Sequence, residues 1–111
     1  MAGILRGDIL WARLGSAEER EPSGRPLLVI SDDVFNERSG MVIGMAITSR
    51  PQAAGYPLAI ELSSGDLPKR SWVKISQIRT LSVARLGARI GSVSPEEMVR
   101  IIEGFNELVA A

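Results

Sequence analysis

The chain has 111 residues, the size of one domain, and 45% of them are hydrophobic, enough to build a core. Thirteen basic residues balance 13 acidic ones, which argues against holding nucleic acid by bulk charge alone. Cysteine and histidine are both absent, which excludes disulfides, thiolate zinc sites, Cys nucleophiles and His bases. The charge is unevenly spread. Residues 51–90 carry six basic residues against two acidic, a net +4, and residues 91–111 carry Arg100 against four glutamates, a net −3. The middle suits an anionic partner, although ordinary surface charge gives the same count.

In chain order, the N-terminal MAGILRGDIL lacks an apolar stretch long enough for a signal peptide, and nothing approaches a membrane span. A cytoplasmic protein without a membrane partner is expected. Asp8 to Leu14, DILWARL, reads as a first strand, and the polar Gly15–Gly24 segment as an exposed loop. Pro26 to Ser31 is a second strand, with Pro at a position that needs no ladder donor. Asp32–Gly40 reads as a turn or one short helical turn. Met41–Thr48, MVIGMAIT, is a continuous apolar run and so a central strand, in which Gly44 marks a bulge or a close backbone contact.

Ser49–Pro57 is another loop, Leu58–Leu62 a strand, and Ser71–Ser82 one long strand or two short ones. Ala84–Val93, with two glycines, has no clear assignment. Ser94-Pro95-Glu96-Glu97 has the marks of a helix start, with Ser as N-cap and Glu three residues on to close a capping box. Met98, Ile101, Ile102, Phe105, Leu108 and Val109 then form one apolar helical face, and Gly104 weakens that helix by about 1 kcal/mol relative to Ala. Short strands and one terminal helix suggest a strongly bent sheet or partly open barrel capped by the helix, as a single domain over 1–111.

Four pieces occur in order: RGDILWARL, GRPLLVIS, AITS and WVKISQIRTLSVARLG. With them the chain resembles the MazF/PemK-like toxins of bacterial toxin–antitoxin systems, from Arg6 to the last helix. The resemblance implies a small SH3-like barrel of CcdB/PemK type with a C-terminal α-helix, usually a homodimer. It implies a sequence-specific endoribonuclease that cleaves single-stranded RNA without metal or cofactor, leaving a 2′,3′-cyclic phosphate and a 5′-hydroxyl. It also implies a cognate antitoxin whose C-terminal segment blocks the active groove.

In that chemistry the substrate brings its own nucleophile, the 2′-hydroxyl, and the enzyme aligns it and neutralises charge on the phosphoryl oxygens. Arg25 aligns with the Arg of the family's Arg-Pro motif, and its fork suits phosphate oxygens. A guanidinium is a poor base, so its expected role is electrostatic, with proton donation to the leaving 5′-oxygen second. Thr48, at the family's strand-end position, can donate to a non-bridging oxygen, with Ser49 assisting. Related enzymes often carry a Glu five positions before the Arg; that position is Arg20 here, and the neighbouring Glu21 is the candidate base, with a solvated loop charge as the competing reading. Some relatives carry an acid where this chain has Ser76. Arg50, Lys69, Arg70 and Gln77 complete the expected RNA contacts, while Arg79 is expected to be structural. Trp11 and Trp72 can stack on bases, but both lie inside apolar strands and are read as core or interface. A CcdB-like protein-binding toxin, or an inactive SH3-like binding module, stands as the alternative.

Overall fold

The computed structural model of the chain describes residues 3–13, 24–63 and 67–110. The elements are β1 (Asp8–Ala12), β2 (Arg25–Val29), α1 (Asp33–Ser39), β3 (Met41–Thr48), β4 (Ala59–Glu61), β5 (Trp72–Ser82), a 3₁₀ turn (Val83–Arg85), β6 (Leu86–Ser92) and α2 (Pro95–Val109). The architecture is mainly β with a C-terminal helix, as the sequence led us to expect. Six strands form one sheet in the order β4-β5-β3-β2-β1-β6. Every pairing is antiparallel.

The 11-residue β5 pairs with both β3 and β4 and is the spine of one half of the sheet. Register shifts interrupt its pairing with β3 between Met45 and Ile47, and that of β1 with β6 on both sides of Leu10. Such irregularities bend strands and increase their twist. Apolar side chains fill both faces. Ile9, Leu28, Met45, Val73 and Ile75 join Met98 and Ile101 of α2 in the larger core. Leu10, Ala12, Leu27, Val29, Val42 and Leu81 form the second. Gly44 belongs to this second face, and it is glycine for lack of space. A Cβ there would lie 2.6 Å from Leu27 Cδ2 and 2.9 Å from the Leu28 carbonyl oxygen. The expected close contact is therefore real, and the Met45–Ile47 irregularity lies just beyond it.

Three segments differ from expectation. Residues 33–39 form about two turns of helix, longer than the turn or single helical turn expected. The Asp32 carboxylate accepts from the Val34 N–H at 2.9 Å, and Gly40, at φ 68°, ends the helix in the left-handed region. The unassigned 84–93 stretch supplies a 3₁₀ turn and the edge strand β6. In α2 the Ser94 hydroxyl caps the Glu97 N–H at 3.2 Å as expected, but the apolar face runs out: Leu108 and Val109 are exposed.

Buried polar groups are few and bonded. The Asp8 carboxylate accepts from the Leu5 N–H and from Arg89 Nε, both at 2.9 Å, joining β1 to β6. At the α1 end of the sheet, the Ser31 hydroxyl donates to Asn36 Oδ1 and accepts from the Ile43 N–H at 2.9 Å. Asn36 Nδ2 donates to the carbonyls of Ile4 and Ser31. Among the described residues no buried side-chain nitrogen or oxygen lacks a partner. None of the described helices is long and apolar enough to cross a membrane.

Candidate active site

The opposite end of β2 and β3 is built differently. Gly24 precedes β2 at φ 69°, and a Cβ on it would stand 2.4 Å from the Ala12 carbonyl oxygen. Only glycine both reaches that conformation and lets the two backbones approach so closely. The next residue, Arg25, then enters the sheet opposite Ala12, and Pro26 opposite Trp11. Pro26 fixes its own φ and confines Arg25 to extended backbone. Leu27 pairs with Ala46 of β3 at the end of the β2–β3 register, and Arg25 and Thr48 lie two residues beyond it on their strands. Alternation along each strand sends Arg25 and Thr48 to the same face. The 23 positions that separate them in sequence are closed by strand pairing.

Arg25 and Thr48 line one cleft of about 300 Å³ together with Ser49, Lys69, Ser71, Trp11, Pro26, Ile47, Leu67, Pro68 and Ile90. Among the described residues the walls are mostly apolar and the ionisable groups in it, Arg25 and Lys69, are cations. Thr48 Oγ1 accepts from the Arg50 N–H at 3.2 Å. This bond occupies one lone pair and leaves the hydroxyl proton to be donated elsewhere. Trp11 forms one side of the cleft with 37% of its surface exposed.

Of the residues singled out in the sequence, Arg25, Thr48, Ser49 and Lys69 therefore meet in one place, while Arg50, Arg70 and Gln77 are not among its walls. Arg50 is exposed just beyond Thr48, and Gln77 is exposed on β5 where that strand's pairing with β3 is irregular. Arg70 is engaged elsewhere. It donates from Nε and Nη2 to the two oxygens of Glu61 at 2.7 and 2.9 Å, and its guanidinium lies 5.1 Å from the centre of the Trp72 ring. The hydrogen bond from Arg70 holds the Glu61 carboxyl below its ordinary range, and Glu61 raises Arg70 in turn. Glu21 lies outside the described residues, as do Glu18, Glu19 and Arg20.

The two tryptophans part company. Trp72 is buried, at 9% exposure, whereas Trp11 faces the cleft and is not a core residue. Trp11 follows the buried Ile9 on the same face of β1 and lies where that face opens at the cleft. Leu67, Pro68, Ser71 and Ile90, which carry no chemical signature in the sequence, also prove to be walls.

A small bent antiparallel sheet with a C-terminal helix, carrying an open cationic cleft at its strand ends, defines the class of protein. Residues 5–109 match the model of the PemK-like, MazF-like toxins of type II toxin–antitoxin systems, and the chain belongs to that family. Its fold is similar to the crystal structure of MazF from Deinococcus radiodurans, at 21% identity over 100% of both chains with a TM-score of 0.80. MazF in a MazE–MazF crystal from the same organism is 20% identical, over 99% of this chain and 98% of that one, with a TM-score of 0.79. An endoribonuclease in complex with its cognate antitoxin, from a mycobacterial species, is 23% identical over 94% and 92% of the two chains, with a TM-score of 0.77.

Proposed function

We propose that this toxin is a ribosome-independent endoribonuclease that cuts single-stranded RNA at short sequences without a metal. The observation that carries the reading is the meeting of Arg25, Thr48, Ser49 and Lys69 in one cleft. The 2′-oxygen attacks the adjacent phosphorus, forming the O2′–P bond as the P–O5′ bond breaks. The 2′-hydroxyl proton leaves to a base and the 5′-oxygen takes up a proton, so the products are a 2′,3′-cyclic phosphate and a 5′-hydroxyl. Arg25 stabilises the charge gathering on the phosphoryl oxygens, where preorganised donors act most strongly. Thr48 donates to a non-bridging oxygen, with Ser49 beside it. Lys69 holds a neighbouring phosphate, Trp11 offers a face to a base, and Arg50 and Gln77 contact flanking nucleotides. Glu21, in the segment leading to Arg25, is the proposed base.

The working unit is a homodimer in the cytoplasm, neutralised by a cognate antitoxin whose C-terminal segment occupies the cleft. Two structural relatives, one mycobacterial and one from Deinococcus radiodurans, were solved as toxin–antitoxin complexes, which supports such a partner.

The test is digestion of a long unstructured RNA by purified protein in the presence of EDTA. Fragments ending in 2′,3′-cyclic phosphate are expected, and a 2′-deoxynucleotide placed at a mapped cut should abolish cleavage there. Cutting at the deoxy linkage overturns the route. Intact RNA together with inhibition of a protein target would favour the protein-binding alternative.

A further inference from the structure

Two loops border the cleft, one after Ser49 and one around Lys69, and both are fastened to α2. At the N-terminal end of the helix, Glu97 is buried, and its Oε2 accepts from both the N–H and the hydroxyl of Ser63 at 2.9 Å. Ser63 begins the connection that brings Leu67, Pro68 and Lys69 into the cleft. The second contact lies about two turns further along the helix: it is Gly104, where a Cβ would stand 3.1 Å from Tyr56 Cε2 and 2.9 Å from Ile75 Cδ1. Tyr56 closes the other loop. Its hydroxyl donates to the Arg100 carbonyl at 3.4 Å, and the Arg100 guanidinium lies 5.4 Å from its ring centre. The cost that Gly104 imposes on the helix thus has a local return, a seat for the Tyr56 ring.

We propose that α2 sets the width of the cleft by anchoring both of its rims, so that Glu97 and Gly104 are positioning residues for ligand binding. A buried carboxylate accepting two hydrogen bonds is a rigid tie, and a ring seated on a glycine is a steric one. Neither group touches the cleft itself. The proposal is independent of the chemistry in the cleft, but its kinetic arm rests on the RNA-cleaving reading.

The experiment compares wild type with Glu97→Ala, Glu97→Gln and Gly104→Ala in the full chain. Amide hydrogen exchange reads the rims directly. Glu97→Ala should speed exchange at residues 67–71 and Gly104→Ala at residues 53–58, with the β2–β3 amides still protected. Glu97→Gln keeps an acceptor for Ser63 and should restore wild-type exchange. With RNA as substrate, KM should rise about tenfold for Glu97→Ala while kcat changes little, the size expected for losing a hydrogen bond to a charged group. Unchanged exchange in the rims overturns the anchoring, whatever the protein does to RNA. Faster exchange with an unaltered KM overturns the positioning role. A wild type that leaves RNA intact overturns the cleavage reading alone, since the exchange arm still decides the anchoring. If Gly104→Ala fails to fold, Tyr56→Ala tests the same contact from the loop side.

Discussion

The two ends of the β2–β3 pair carry similar side chains and use them in opposite ways. At the α1 end, Ser31 and Asn36 are buried and spend their hydrogen bonds on one another and on the Ile4, Ser31 and Ile43 backbone. At the cleft end, Thr48 accepts one bond that orients its hydroxyl, and Arg25 stands exposed beside it. The first set holds the fold together. The second lines the cleft. Polar residues at strand ends are common, and what separates the two ends here is burial: Ser31 and Asn36 are sealed inside the fold, while Arg25 and Thr48 line an open cleft.

That contrast breaks most visibly under substitution. Arg25→Ala should keep the fold, with an unchanged circular dichroism spectrum, and lose about 10²–10³-fold in kcat on RNA, the scale of removing one preorganised donor from a transition state. Asn36→Ala should do the reverse. It strands the Ser31 hydroxyl and two backbone carbonyls, so unfolding in urea should show a loss of about 2–3 kcal/mol. The folded fraction should cleave at the wild-type rate. Equal kinetic losses in the two variants would erase the distinction between the two ends.

The smallest effect concerns Arg70, a cation near the cleft that is paired with Glu61. Its partner Glu61 has a lowered folded-state pKa, so the pair contributes stability above the ordinary Glu range. That contribution is lost as pH falls through the folded value. Glu61→Gln should melt slightly below wild type at pH 7 and together with it at strongly acidic pH, with RNA cleavage unaffected. The pair is exposed and screened by solvent, so the shift should be small. A gap that persists in acid would mean the ion pair is not its source.

How much of this was visible beforehand depended on whether the signal was local. Arg25 and Thr48 are singled out by the family resemblance, through its Arg-Pro and strand-end Thr motifs, and the fold brings both to one cleft. The capped start of α2 is readable one residue at a time. The reading of Trp11 as core or interface gives way on the core alone: DILWARL is apolar on both sides of the strand, and the place of Trp11 at the cleft becomes plain only in the folded sheet. Arg70 looked available because its partner lies nine residues back, and only the β4–β5 register, which sets Glu61 opposite Trp72, brings them together. α1 was underestimated because its seven residues carry no apolar periodicity, and its caps do most of the specifying. Gly104 read as a weakness because a seat for Tyr56, 48 positions away, leaves no trace in the helix pattern.

Gly24 has a consequence for heredity. Its missing side chain leaves the space that the Ala12 carbonyl occupies, so every change of residue at this position forces the backbone apart immediately before Arg25. In a growth selection for survivors of toxin expression, position 24 should therefore collect inactivating alleles of many residue types. Such alleles would disarm the toxin without altering any group that meets its target. A mutational map of escape would mark the hinge as sharply as the guanidinium it delivers.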